Sequence, residues 1–434
     1  MGTAVSAARR REVIDALRAG AVPQAGLDLL ATGLDRFADS VDTELGTASA
    51  GGAVFKAVRG DYGAGKTFFT RWLAERAKAR GMAAAEVQIS ETETPLHKLE
   101  TVYRRLTERL TTPGFPPSAL RSVVDGWFYV LEEDALASGI DENDLEKEVG
   151  ELLTRRLAEV SRSAPGFATA LRGYRAALAS ADPATAESIL AWLGGQPHVA
   201  AAARRAAGVR GELDHFGAFG FLQGLLTVLR DSGHPGLVLV LDEVETLQRV
   251  RSDARDKALN ALRQLIDEVH AGRFPGLYLV ITGTPAFYDG PQGVQRLSPL
   301  AQRLATDFTT DPRFDNPRAI QLRLPAFTTE RLTELGTTVR DVYVDDESAH
   351  RVAAVVDDAY IAELAEAVAG ELGGKVGVAP RLYLRKLVDV LDRVYEFPDF
   401  DPRRHYTLTV RSTELTDTER NAAAGSADDV ALDL

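Results

Sequence analysis

One octapeptide constrains this chain more than any other feature: Gly60-Asp61-Tyr62-Gly63-Ala64-Gly65-Lys66-Thr67, a full match to the G-x-x-x-x-G-K-[ST] phosphate loop. A short apolar run over 53–59 precedes it and reads as a buried strand, and a helix is expected over 68–80, closed by Gly81. Strand, glycine loop and helix in that order commit the surroundings to a parallel α/β layer. The glycines let backbone N–H groups converge on phosphate oxygens where a side chain would block the approach. The positive end of the following helix faces the same anion. Lys66 is then suited to reach β- and γ-phosphates, and the Thr67 hydroxyl to hold Mg²⁺.

The partner of this loop lies far downstream. The apolar run Leu237-Val238-Leu239-Val240-Leu241 ends in Asp242-Glu243-Val244-Glu245. Carboxylates at the end of a buried strand are costly unless something uses their charge. Asp242 suits Mg²⁺, through water, and Glu243 suits a general base that polarises the attacking water. Glu245 reads as a surface or structural residue. The next strand, 277–281, ends at Thr282-Gly283-Thr284-Pro285. Thr282 is the first choice there for positioning a water beside the γ-phosphate and Thr284 the second; either could serve as a turn hydroxyl. Arg303 is the candidate for an arginine finger offered to a neighbouring subunit, with Arg296 as competitor. Arg381, in Ala379-Pro380-Arg381, opens a helix from which it could reach the γ-phosphate.

Alternating strands (53–59, 83–90, 237–241, 277–282, 320–324) and helices (68–80, 96–110, 216–232, 253–271) argue for a three-layer α/β core with a parallel sheet. Residues 112–210 interrupt it with Pro- and Gly-broken helical segments at 118–133, 144–161 and 183–193, and no strand is read there. The expected organisation is an N-terminal helical segment (1–50), a core in two pieces (51–111 and 211–328), the helical insertion (112–210), a C-terminal helical lid (329–410) and an acidic tail (411–434) that reads as disordered. Within the insertion, Trp127-Phe128-Tyr129 reads as core packing.

Composition removes several function classes. With no cysteine among 434 residues, disulfides, thiolate metal sites and a cysteine nucleophile are excluded. The longest apolar stretches are about five residues where a membrane span needs about twenty, so no membrane association is expected. Arg9-Arg10-Arg11 leads into an amphipathic stretch instead of an apolar signal region, and the chain reads as cytoplasmic. A net charge of −13 works against global attraction to nucleic acid. Direct DNA contact would have to come from short clusters: Arg9–11, Arg204-Arg205 with Arg210, or Arg403-Arg404.

The phosphate loop, the Asp-Glu pair, the polar strand end, the following arginine and the Pro-Arg lid helix resemble, in that order, the AAA+ ATPases. Within them the chain resembles the origin-recognition branch, where a Val-Pro near the N-terminus lies against the adenine; Val22 and Pro23 take that place here. The fuller resemblance is to the BrxD family, ATP-binding proteins of BREX phage-defence systems. It is carried by Ala21-Val22-Pro23, Ala31-Thr32-Gly33, the residues from Gly60 to Thr67, Pro95-Leu96-His97, Leu241-Asp242-Glu243-Val244-Glu245, Ile281-Thr282-Gly283-Thr284-Pro285 and Ala379-Pro380-Arg381. The resemblance implies an AAA+ core and ATP with Mg²⁺ as cofactors. Val22, Pro23, the 60–67 loop, Phe68 and Arg381 would bind the nucleotide, and Lys66, Glu243, Thr282 and Arg303 would act on it. It further implies a homo-oligomer, a helicase partner of the same defence system, and DNA bound directly or through that partner. Two departures stand against autonomous DNA binding: too little chain follows the Arg381 helix for a winged-helix domain, and the insertion separates the two phosphate motifs widely. Besides an ATP-driven motor or loader, the readings in play are a slow nucleotide-dependent switch that recruits an effector, a DNA-binding module with secondary ATP use, and a metabolic kinase.

Overall fold

The computed structural model describes residues 6–139, 145–344, 350–371 and 380–415. Five strands, β1 (Val54–Arg59), β2 (Ala83–Gln88), β3 (Leu237–Asp242), β4 (Leu277–Gly283) and β5 (Gln321–Arg323), form one sheet in the order β2-β3-β4-β1-β5. Every pairing is parallel. β3 and β4 are buried along their whole length, as central strands covered by helices on both faces must be, and this is why they read as unbroken apolar runs. The register sets Gln88 beside Asp242 and Arg59 beside Gly283, so the ends of β1 to β4 converge on one edge. The expected three-layer parallel α/β core with a helical insertion and a C-terminal helical domain is the observed architecture.

Three apolar clusters organise the described residues. One face of the sheet packs against the helices Asp35–Ser49 and Lys66–Ala79 through Phe37, Val41, Phe69 and Trp72. The opposite face packs against Leu99–Arg109, His215–Asp231 and Ser252–His270, and this cluster continues without a break into the insertion. Phe221 joins the two, meeting Tyr103 of the core at 5.6 Å and Phe167 and Trp192 of the insertion at 5.3 Å each, all edge-on. The insertion is therefore an extension of the core. The third cluster is the lid, Thr329–Tyr343, Asp358–Glu371 and Pro380–Glu396, with Val13, Ile14 and Leu17 of helix Ala7–Arg18 built into it.

Several boundaries differ from the sequence reading. Within the expected N-terminal helical segment (1–50), the described residues form Ala7–Arg18, a 3₁₀ turn Leu27–Leu30 and Asp35–Ser49, and the first of these helices belongs to the lid cluster. The insertion holds an unread helix, Pro165–Ala179, started by its proline, and 144–161 divides into Leu145–Arg156 and Ala158–Ser163. It also carries one isolated bridge, Thr112 with Phe115, next to a bridge between Thr111 and Ala84 that covers the outer edge of β2. Of the aromatic trio, Trp127 and Phe128 are buried but Tyr129 is 63% exposed. The tail beyond 415, and Ala379, lie outside the described residues. No described helix is long and apolar enough to cross a membrane.

Candidate nucleotide site

The loop begins where Gly60 N–H donates to the Gly283 carbonyl (3.2 Å), tying β1 to β4, and it turns through Gly63 and Gly65, both in the left-handed region (φ +80° and +87°). Helix Lys66–Ala79 starts directly after it. Lys66 is buried, and its ammonium is folded back on the loop: it donates to the Gly60 carbonyl at 2.9 Å and the Asp61 carbonyl at 3.2 Å, with the Tyr62 ring 5.2 Å away.

The end of β3 delivers the carboxylates. Asp242 is buried; its Oδ2 accepts the Thr67 hydroxyl at 3.2 Å, and its Oδ1 accepts the Thr282 hydroxyl and the Glu243 N–H, the latter at 3.1 Å. Thr282, fully buried at the end of β4, thus fixes Asp242, and its hydroxyl oxygen also accepts from Glu243 N at 3.1 Å. The structure assigns Thr282 to orienting the carboxylate and the turn after it. Glu243 takes the left-handed region (φ +59°), strained for a residue with a side chain. Its Oε2 accepts from Gln88 Nε2 at 2.8 Å, so a side chain at the end of β2 holds it. Sequence reading missed Gln88; only the β2–β3 register brings it there. Glu245, from the 3₁₀ turn Val244–Gln248, is buried at 5% exposure with its Oε1 3.9 Å from Lys66 Nζ. Burial pushes the Glu245 carboxyl above its ordinary range, with Lys66 opposing and Glu243 and Asp242 adding to the rise.

Thr67 and Asp242 present hard oxygen donors at hydrogen-bond distance, which fits Mg²⁺, a cation that takes one or two protein oxygens and fills its shell with water and phosphate. Among the described residues no cluster of three or more acidic or histidine side chains could hold a metal by itself.

From the loop a cleft of about 460 Å³ runs between the N-terminal segment and the lid. Its far end is apolar: Leu17, Val22, Pro23, Phe68, Leu335 and Leu384 line it. The Val22-Pro23 strap is fastened to the helix that follows the loop. Arg71 donates to the Val22 carbonyl at 2.8 Å, and the Glu75 carboxylate accepts the N–H groups of Gly26 and Leu27 at 2.8 Å each. Gly26 sits at φ +76°, and a Cβ there would come 2.8 Å from a Val13 methyl, so the position takes glycine alone. Arg381 lines the cleft from the lid and donates to the Glu414 backbone carbonyl at 2.6 Å; the Glu414 carboxylate in turn accepts from Lys386 at 2.9 Å. Arg303 is apart from the cleft of its own chain. It ends helix Ser298–Arg303, ion-paired to Asp267 and donating to the Pro299 carbonyl at 2.8 Å. Arg296 is likewise engaged, with Asp256.

The whole arrangement, an apolar slot opening onto a glycine loop, falls within the span of one family model, BREX system ATP-binding protein BrxC/D, which matches residues 5–410. The chain belongs to the BrxC/BrxD family. The family description gives ATP binding, and the match runs through the strap, both phosphate motifs, the insertion and the lid. No curated protein matches this BrxC/D chain by sequence. Among solved structures it is similar to the ORC2 protein of Aeropyrum pernix in its ADPNP–ADP complexes, at 13% identity over 86% of this chain and 70% of that one, with a TM-score of 0.34.

Proposed function

We propose that the chain binds ATP with Mg²⁺ in this cleft and hydrolyses it, using turnover to drive assembly or remodelling on DNA or on a DNA-bound partner within its BREX system. The observation that carries the reading is the convergence of Lys66, Thr67, Asp242 and Glu243 at the mouth of the glycine loop. A triphosphate along the loop meets the N–H groups at the helix start and the Lys66 ammonium, while the base enters the slot against Val22 and Pro23. Thr67 and Asp242 would hold Mg²⁺, whose charge, when bound, offsets that on the β- and γ-oxygens. Glu243 accepts a proton from water as the water oxygen bonds to the γ-phosphorus; the bond to the β,γ-bridging oxygen breaks and ADP leaves with its electron pair. Arg381 meets the γ-phosphate from the lid, and Arg303 serves the site of a neighbouring copy in a homo-oligomer. A helicase of the same system is the proposed protein partner, in the cytoplasm.

A direct DNA-binding reading is weaker, because each short basic cluster already has an arginine engaged within the chain: Arg9 pairs with Asp28 and Glu75, Arg204 donates to the Gly211 carbonyl, and Arg403 pairs with Asp357. A nucleotide-dependent switch has a specific observation in its favour, since Gln88 holds Glu243 and the Glu414 carbonyl holds Arg381. One experiment separates the hydrolase from the switch. ATP turnover and affinity are compared for the wild type and Glu243→Gln across a wide range of protein concentration. A hydrolase loses about 10²–10⁴ in rate with affinity kept. Unchanged turnover in the variant removes Glu243 as base, and a wild-type rate as low as the variant's at every concentration favours the switch.

A further inference from the structure

Glu245 is a buried carboxylate, 5% exposed, that lines the nucleotide cleft, and among the described residues no other residue hydrogen-bonds to either of its oxygens. Buried carboxylates with a purely architectural task are hydrogen-bonded, and even the partly buried Glu75 accepts from two backbone N–H groups. At 3.9 Å, Lys66 is too far to hydrogen-bond with Glu245 yet close enough for a strong Coulomb attraction in a site shielded from water. The Lys66 ammonium in turn is folded back onto the Gly60 and Asp61 carbonyls, the Tyr62 ring and Glu245.

Resting on the nucleotide reading above, we propose that Glu245 is a positioning residue that retains the Lys66 ammonium inside the loop and so competes with the β- and γ-phosphates for it. The competition has two parts. Before binding, Glu245 stabilises the folded-back lysine. After Lys66 turns to the phosphates, Glu245 is left without its cation beside Asp242 and Glu243 and a polyanionic ligand, a like-charge cluster that disfavours the bound state. Both parts act on ligands that reach Lys66. AMP, which offers neither a β- nor a γ-phosphate, escapes the retention.

The test is a double-mutant cycle on the full chain, with affinities for MgATP, MgADP and AMP measured by calorimetry for the wild type, Glu245→Gln, Lys66→Ala and the double variant. The expected result is MgATP binding about tenfold tighter in Glu245→Gln, equivalent to roughly 1.4 kcal/mol, a smaller gain for MgADP and none for AMP. In the Lys66→Ala background the gain shrinks by at least half. Glu245→Asp, whose carboxylate is drawn back by one methylene, lies between wild type and Glu245→Gln, and supplies the same comparison if the glutamine variant folds poorly. An equal gain with and without Lys66, an equal gain for AMP, or weaker MgATP binding in Glu245→Gln each overturns the retention while leaving the ATP site intact. Failure of the wild type to bind MgATP overturns the nucleotide reading and the retention with it.

Discussion

Glu245 is also where stability and the site come into conflict. Its carboxyl is raised by burial above the ordinary 4.5, so the folded chain holds that proton more tightly than the unfolded one. The stability it contributes is complete below pH 4.5 and is lost as pH rises through the raised folded value. Glu245→Gln removes this loss. The variant is therefore expected to melt at a higher temperature than the wild type at pH 8 without nucleotide, with the gap closing as the pH is lowered toward 4.5; differential scanning calorimetry over that range checks it. Glu243 carries a second local cost in its left-handed backbone (φ +59°), of order 1–3 kcal/mol. The two N–H bonds it makes, to Asp242 and Thr282, hold that turn in place.

Between elements, the strap that carries Val22 and Pro23 depends on a residue of the phosphate-loop helix. Glu75 caps the free N–H groups at the start of Leu27–Leu30 and also receives Arg9 at 2.8 Å. Glu75→Ala should cost about 1–3 kcal/mol of stability. It should also weaken ATP binding while leaving inorganic tripolyphosphate binding unchanged, because only the base end of the cleft is loosened; parallel titrations of the two ligands test this. The phosphate end was legible in the sequence because its chemistry is written in contiguous residues: the glycine loop and the Asp-Glu pair each depend on neighbours in the chain. Gln88, Glu75 and the partner of Arg381 were not, since each acts through register or packing that joins distant segments. Glu245 reads in the sequence as a surface or structural residue, and its burial in the cleft wall comes from packing that no local pattern shows. Thr282 reads in the sequence as the residue that positions a water beside the γ-phosphate; the β3–β4 register sets it next to Asp242, to which its hydroxyl donates.

For the whole molecule, the unexpected feature is that the insertion is no separate module. Phe221 of the core, packed on Tyr103, is covered by Phe167 and Trp192, and a Cβ on Gly224 would stand 2.6 Å from the Phe167 ring, so the two parts interlock. Deleting 112–210 would uncover large aromatic side chains worth about 1.5–3 kcal/mol each. The deletion is expected to give an aggregating or molten chain, seen as lost near-ultraviolet circular dichroism, where a true module would leave a folded core. A partner surface on the insertion is better probed at exposed Tyr129. The same interlock sets the order of events at the ribosome. β2 is complete at Gln88, but its neighbour β3 begins only at Leu237. At about 5–20 residues per second, the strand leaves the exit tunnel roughly seven to thirty seconds before its sheet partner exists. During that wait Thr111 can close the outer edge of β2, and the helices made next, rich in near-neighbour contacts, can gather over its apolar face. What interrupts the nucleotide fold in sequence shelters it in time.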